Sequence, residues 1–238
     1  MESKIRGSQD GAMTSDDARA MATQLIESQR QYYELRAPDH ANTSRPSDRK
    51  VPGLLGPDEA RRLVEEQGVF GDVLELACGS GAFTRELARH AESLTAVDGS
   101  PQMLALNKQS VDKAHVDYVC ADLFQWQPPR RFDVVFFSFW LSHVPPTHFG
   151  PFWSMIRSSL RPGGQVGFVD EDHRATGNET YLSNTGIPTA RRTLSDGRSF
   201  DIIKVFWNPR DLEARLQRLG WHTRVRSFGE TFLVGQAG

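Results

Sequence analysis

Between residues 72 and 171 the apolar positions fall into short dense runs separated by amphipathic stretches. The runs "DVLEL", "SLTAVD", "HVDYVC", "FDVVFFSF" and "GQVGFVDE" are rich in β-branched and aromatic residues and too short for helices, so each reads as a strand. The intervening segments predict helices over 82–90, 101–109 and 147–160. Strands that alternate with helices in this way build a parallel sheet covered by helices on both faces.

The flanks break the alternation. Upstream, Thr14 followed three residues later by Asp17 is a variant capping box, and Ala18, Met21, Ala22, Leu25, Ile26, Gln29, Tyr32 and Tyr33 recur at helical spacing. A helix over 15–36 is expected. Pro38, Pro46, Pro52, Gly53, Gly56 and Pro57 then mark a loop, followed by a short helix, "PDEARRLVEEQ", over 57–67. Downstream, "TARRTL", "SDG" and "RSFDIIKVFW" read as an antiparallel hairpin. A helix over 209–219, opened by "NPRD" and closed by Gly220, leads to two last strands, "WHTRVRSF" and "ETFLVGQ".

Composition narrows the class. A chain of 238 residues suits one α/β domain, and 28 basic against 30 acidic residues, mixed along the chain for a net charge of −2, offer no basic stripe for nucleic acid. Cys78 and Cys120 have neither CxxC nor metal-ligand spacing, which points to a reducing cytoplasm without a disulfide framework. The longest apolar run, "VVFFSFWL", is too short for a membrane span, and "MESKIRGSQDGA" lacks the apolar core of a secretory signal. Residues 1–14 read as a leader or tag, with Met13 as a candidate native start.

The first strand runs into "ACGSG", where Gly79 and Gly81 permit a tight turn at the carboxyl end of the strand, the end at which a doubly wound sheet binds its ligands. The predicted helix over 82–90 would aim its first amides back at that turn. A dinucleotide site would place a third small residue where Thr84 stands, so the match to a nicotinamide-dependent oxidoreductase is incomplete. Three acids follow or end strands at the same edge: Glu75, Asp98 and Asp122. An acid about twenty residues past the glycines suits a ribose diol, and the cluster of negative charge favours a cationic ligand over a pyrophosphate.

With these residues the chain resembles the class I S-adenosylmethionine-dependent methyltransferases of small-molecule type. The resemblance covers about residues 57–235 and is carried by "VLELACGSGAFT", "VDGSPQMLALNK", "ADLFQW", "FDVVFFSFWLSHVP" and "LRPGGQVGFVDE", in the family's order. It implies a doubly wound, seven-stranded, mostly parallel sheet over 57–238, a helical lid over 15–56 and a β-hairpin cover within an insertion over about 174–207. It further implies that Glu75, Ala77 and Gly79 line the methionine and ribose of S-adenosylmethionine, that Asp98 with Gly99 holds the ribose diol, that Met103 packs on adenine, and that Asp122 with Leu123 holds its amino edge. Tyr33 from the lid and Ser138 after the fourth strand complete the cofactor set, and S-adenosylhomocysteine is the product.

The acceptor side is expected after the fourth strand and under the lid. His143 in "SFWLSHVPP" either accepts a proton from the acceptor, since imidazole titrates near neutral pH, or braces its loop. Tyr32, Trp140 and Glu171 are candidate acceptor contacts, and Arg191, Arg192 and Arg198 on the hairpin either read an anion or are solvated. No [DN]PP[YF] motif of amino-methylating DNA enzymes and no carboxylate–amide metal set stands after the fourth strand, so no metal is expected. The expected activity is in-line methyl transfer to an oxygen or nitrogen of a small, aromatic or heteroaromatic acceptor, by a monomer or homodimer. The alternatives are an oxidoreductase or a non-catalytic cofactor-binding module.

Overall fold

The computed structural model describes residues 14–43, 55–182 and 186–238. The supposed leader therefore lies outside the described residues except for Thr14. Seven strands form one sheet in the order β3-β2-β1-β4-β5-β9-β8. These are β1 Asp72–Leu76, β2 Ser93–Asp98, β3 Val116–Cys120, β4 Phe132–Ser138, β5 Leu160–Glu171, β8 Thr223–Phe228 and β9 Phe232–Ala237. Strands β1 to β5 pair in parallel, and β9 runs antiparallel between β5 and β8. The strand order reverses between β1 and β4, which opens a crevice at their carboxyl ends.

Alternation along the strands fills both faces. Leu74, Leu76, Val135 and Phe137 point to one side, where α5 (Phe149–Ser159) and α6 (Pro209–Arg218) cover them with Phe152, Trp153, Ile156, Leu212 and Leu216. Val73, Val134 and Phe136 point to the other side, against α2 (Pro57–Glu66), α3 (Thr84–Leu87) and α4 (Pro101–Val111). Phe137 and Phe168 stack with centroids 5.3 Å apart and planes 4° from parallel, and Trp153 meets Phe168 edge-on at 5.7 Å.

The capping box forms: Asp17 N–H donates to Thr14 Oγ1 at 3.2 Å, and the Thr14 hydroxyl donates to Asp17 Oδ2 at 2.7 Å. From it α1 runs over Ser15–Thr43, seven residues beyond the expected end. Pro38 lies within it, since a proline removes one backbone donor and strains the preceding turn without forbidding the helix. At the glycine turn a second helical expectation differs in length. The segment 82–90 yields only the four-residue α3, the rest closing as turns.

After β5, a 3₁₀ turn η2 (His173–Asn178) leads to the antiparallel pair β6 (Thr189–Thr193) and β7 (Ser199–Ile203), with Arg191 opposite Asp201. This is the expected hairpin, though its second strand ends at Ile203; Lys204 N–H still donates to Pro188 O at 2.9 Å, and the chain leaves the pair after it. The helix α1 packs along β7 and also meets α4. It thus bridges α4 and the hairpin.

Candidate active site

At the carboxyl end of β1 three residues adopt left-handed backbone: Ala77 (φ 54°), Gly79 (φ 52°) and Gly81 (φ 95°). The two glycines are needed for different reasons. A Cβ on Gly79 would meet nothing within 4 Å, so the space beside it is open, whereas a Cβ on Gly81 would fall 2.6 Å from Asn107 Oδ1. Asn107, fully buried on α4, donates to Gly79 O at 3.2 Å and to Thr84 Oγ1 at 2.8 Å, and so ties the turn to the helix behind it. A four-residue α3 has almost no dipole, so the expected aid from helix amides falls away.

Acids surround this turn. Glu75 is 1% exposed, and neither of its carboxylate oxygens has a hydrogen-bond partner. Burial pushes it up to about 8, with the nearby Thr84 hydroxyl opposing the rise and the Asp98 charge adding to it. An orphaned buried carboxyl of this kind fits a cationic ligand, which would restore the charge its surroundings disfavour. Asp98 accepts Gly79 N–H at 2.9 Å and Ser100 N–H at 2.8 Å. Burial raises it above the usual carboxylate range, and these backbone bonds offset part of the rise. A carboxylate has about four lone-pair positions, so roughly two remain for a diol.

Farther along the edge, Gly99 joins β2 to α4, and its Cβ position lies 3.7 Å from Ala121 O. Met103 is buried on the first turn of α4, its N–H held by the Ser100 hydroxyl at 3.3 Å, and Leu123 is buried in the core. Asp122 is exposed and already caps its own turn, accepting from Phe124 N–H at 2.9 Å and Gln125 Nε2 at 3.0 Å. Its carboxylate is more committed than expected for an adenine contact. Ser138 ends β4, and Phe139 follows with φ 52°, its N–H bound to Val169 O at 2.8 Å.

The 3₁₀ turn η1 (Leu141–His143) carries a buried His143. Its Nδ1 lies 2.8 Å from Ile203 O, and since a carbonyl only accepts, Nδ1 carries the proton. Nε2 then offers a lone pair, and the Tyr33 hydroxyl lies 2.8 Å from it. Burial, then the charges of Lys204, Arg192 and Arg36, hold the imidazole well below its usual pKa, with the Ile203 carbonyl opposing. The ring is neutral. Desolvation pushes the Tyr33 phenol up to about 12, so it too is neutral and donates.

The other expected acceptor contacts are placed differently. Tyr32 turns into a small cluster with Ala190, Leu194 and Ile202 of the hairpin, 6.0 Å from the Phe200 ring, because neighbours on a helix cannot share a face. Trp140 lies 5.2 Å from Phe124 and 6.5 Å from Phe152, and its indole N–H is buried without a partner. Glu171 pairs with the buried Lys204. Arg191 and Arg192 pair with Asp201 and Glu179, and Arg198 with Asp196. Among the described residues no group of three or more His, Cys, Asp or Glu is arranged to hold a metal.

A model of a family described as "Methyltransferase domain" matches residues 73–164. Nodulation protein S of Sinorhizobium fredii is 33% identical over 75 residues, and the ubiquinone biosynthesis O-methyltransferase of a Bradyrhizobium species 31% identical over 94. The matched part spans about a third of these curated relatives, 35% and 36% of their lengths. The solved structure of DhpI with SAH is 39% identical and superposes with a TM-score of 0.74 over 90% of this chain and 96% of that one. A DhpI complex with SAM and HEP matches equally well, with 40% identity and a TM-score of 0.74.

The chain belongs to the class I S-adenosylmethionine-dependent methyltransferases.

S-adenosylmethionine is thus the methyl donor of this enzyme, and the orphaned Glu75 and the open space at Gly79 fit such a ligand. The expectation puts Tyr33 in the lid beside the cofactor and in the wall of the acceptor pocket; its direct contact with His143 is added by the structure. Lys204 was missed altogether. A single lysine inside the apolar run "DIIKVFW" was the available signal.

Proposed function

We propose that this methyltransferase alkylates an oxygen or nitrogen of a small-molecule acceptor held between α1, the η1 turn and the β6–β7 pair. In this reading α1 is the lid and the segment 174–207 the cover, completing one catalytic unit with residues 57–238. The observation that carries it is the Tyr33–His143 pair: two neutral groups, His143 buried and Tyr33 half-buried, joined at 2.8 Å at the sheet edge where the donor is expected. The DhpI complex with both SAM and HEP supports a second ligand beside the donor.

Glu75, Ala77 and Gly79 would hold the methionine and ribose portion, Asp98 and Gly99 the diol, and Met103, Asp122 and Leu123 the adenine. Ser138 lies next to the methyl-bearing end. When bound, S-adenosylmethionine supplies a methyl group on a positively charged sulfur. Catalysis from the protein is mainly alignment and exclusion of water. The Tyr33 oxygen, its hydroxyl hydrogen-bonded to His143 Nε2, accepts the acceptor's O–H or N–H and turns a lone pair of that atom toward the methyl carbon.

As the new bond to carbon forms, the acceptor atom becomes positively charged and strongly acidic. Its proton passes to the Tyr33 oxygen while the Tyr33 proton moves to His143 Nε2. Even a weakened imidazole suffices for so acidic a donor. The positive charge thus leaves sulfur and ends on His143, and opening of the lid releases the proton to water.

The aromatic acceptor draws no support from the site. Trp140 is packed against Phe124 and Phe152, Tyr32 is buried in the hairpin cluster, and the remaining groups, Tyr33, His143 and Glu171, are polar. A polar small molecule is favoured instead. Calorimetric titration with S-adenosylmethionine and S-adenosylhomocysteine, followed by S-adenosylhomocysteine release across panels of hydroxy, amino and acidic metabolites, tests the reading. Release with a polar acceptor and loss of it in Tyr33→Phe is expected. Turnover confined to a protein or nucleic-acid substrate would overturn it.

A further inference from the structure

Three consecutive residues leaving β7 grip the η1 turn. Ile203 O accepts His143 Nδ1–H at 2.8 Å, and Val205 N–H donates to Ser142 O at 2.7 Å. Between them Lys204, 2% exposed, donates from Nζ to Ser142 Oγ at 3.1 Å and pairs with Glu171. The two flanking bonds already tie hairpin to turn without any charge.

A buried ammonium costs several kcal/mol in desolvation before its partner compensates, and a hydrophobic residue would pack here at lower cost. The charge therefore has another use. The groups that face the imidazole are Tyr33 and Arg36 from α1, Arg192 from β6 and Lys204 from the end of β7. Asp170 and Glu171 at the end of β5 complete the cluster, Asp170 accepting Ser142 N–H at 3.0 Å. Among the cations, Lys204 acts most strongly on His143.

We propose that Lys204 is a positioning residue for methyl transfer: it pins the η1 turn and keeps a positive charge beside the imidazole, so that His143 stays the Nδ1–H tautomer with its Nε2 lone pair directed at Tyr33. The proposal rests on the reading of Tyr33 and His143 as the acceptor-facing pair. If His143 were protonated before the reaction, Nε2 would be a donor to the Tyr33 oxygen, and the pair could no longer take up the acceptor's proton. Removing the Lys204 charge raises the imidazole toward its ordinary value, so protonation reaches into the working range as pH falls.

The test is a titration of the His143 ring nitrogens by ¹⁵N NMR on the full chain, with kcat/KM measured over the same pH range. In the wild-type protein Nδ1 is protonated and Nε2 unprotonated to well below the ordinary imidazole midpoint. In Lys204→Met the midpoint rises toward the ordinary imidazole value of about 6.5, and activity falls by up to about fourfold further at pH 6 than at pH 8.5. Lys204→Arg restores both. An unchanged ring titration in Lys204→Met, or an equal loss of activity at every pH, overturns the proposal. Should Lys204→Met fail to fold, Glu171→Gln serves: it keeps the cation and removes its counter-ion, so His143 must stay neutral, and a rise in its midpoint is refuting. The ring titration needs no acceptor. A proton role for His143 fails separately, if His143→Asn keeps full turnover while the Lys204→Met titration still shifts.

Discussion

The two halves of the sheet's carboxyl edge differ in how their polar groups are satisfied. On the donor side the arrangement waits for a ligand: Glu75 has two orphaned oxygens, Asp98 has spare lone pairs, and the space at Gly79 is open. On the acceptor side the polar groups are paired with one another, Tyr33 with His143, His143 with Ile203, and Lys204 with Glu171 and Ser142. An unpaired buried charge is costly, so the donor side gains most when its cationic ligand arrives. The acceptor side instead has to exchange contacts, which suits discrimination among acceptors more than tight binding.

The largest effect expected from breaking this contrast is on turnover. His143→Ala should lower kcat by about a hundredfold or more, with the dissociation constant of S-adenosylhomocysteine unchanged within a few-fold. Tyr33→Phe should change turnover in the same direction. Rapid-quench and calorimetric measurements on the two variants separate the sides: a loss of cofactor binding equal to the loss of turnover would mean that the acceptor side is not a distinct functional region.

Next in size is Asp98→Ala. Removing a carboxylate that makes charged hydrogen bonds should weaken S-adenosylmethionine binding by about 1.5–3 kcal/mol. The loss includes the release of Gly79 N–H and Ser100 N–H, which Asp98 holds at 2.9 and 2.8 Å. Comparing Asp98→Asn sharpens the point, since an amide oxygen still accepts one of these bonds. Equal dissociation constants for wild type and Asp98→Ala would remove the carboxylate from the cofactor site.

The same contrast explains what the sequence revealed. The donor side is built locally: strand periodicity places Glu75 and Asp98 at strand ends, and Gly79 and Gly81 announce the turn between a strand and the next segment. The fold was legible for the same reason, since apolar runs and turn residues act over a few positions. The length of α3 was not: residues 82–90 have the periodicity of a helix, yet only Thr84–Leu87 form one. The acceptor side is built at long range. Tyr33 and His143 are 110 residues apart, and Ser142 and Lys204 are 62 apart, so no local pattern joins them. Which of Tyr32 and Tyr33 would face His143 depended on where the hairpin packs, and Tyr32 went to the hairpin.

Glu75 gives the donor side its own dependence on pH. Its folded-state value of about 8 lies above the ordinary 4.5, so the folded ligand-free enzyme holds a proton that the unfolded chain has already lost. Stability contributed by that proton is complete below pH 4.5 and declines as pH rises toward 8. Melting temperatures of wild type should therefore fall between pH 5 and pH 8 by several degrees more than those of Glu75→Gln, which cannot ionise. S-adenosylmethionine, whose positive charge favours the carboxylate, should narrow the gap. Parallel melting curves for the two proteins would show that Glu75 is ionised before the ligand arrives.

The two glycines separate conformation from packing, and Gly79→Ala has the smallest effect on stability. Gly79→Ala places its Cβ in open space, so its intrinsic cost is that of an alanine at positive φ, about 1 kcal/mol. Yet the open space is where the ligand belongs, and cofactor affinity should fall by more than stability does. Gly81→Ala carries the same conformational cost and in addition drives a methyl group to 2.6 Å from Asn107 Oδ1, disturbing the bonds that Asn107 makes to Gly79 O and Thr84 Oγ1. It should lose more stability than Gly79→Ala, by about 1–2 kcal/mol. Chemical denaturation and S-adenosylhomocysteine titration of both variants give the two orderings. The reverse order in stability would mean that the helix behind the turn yields more easily than the turn itself.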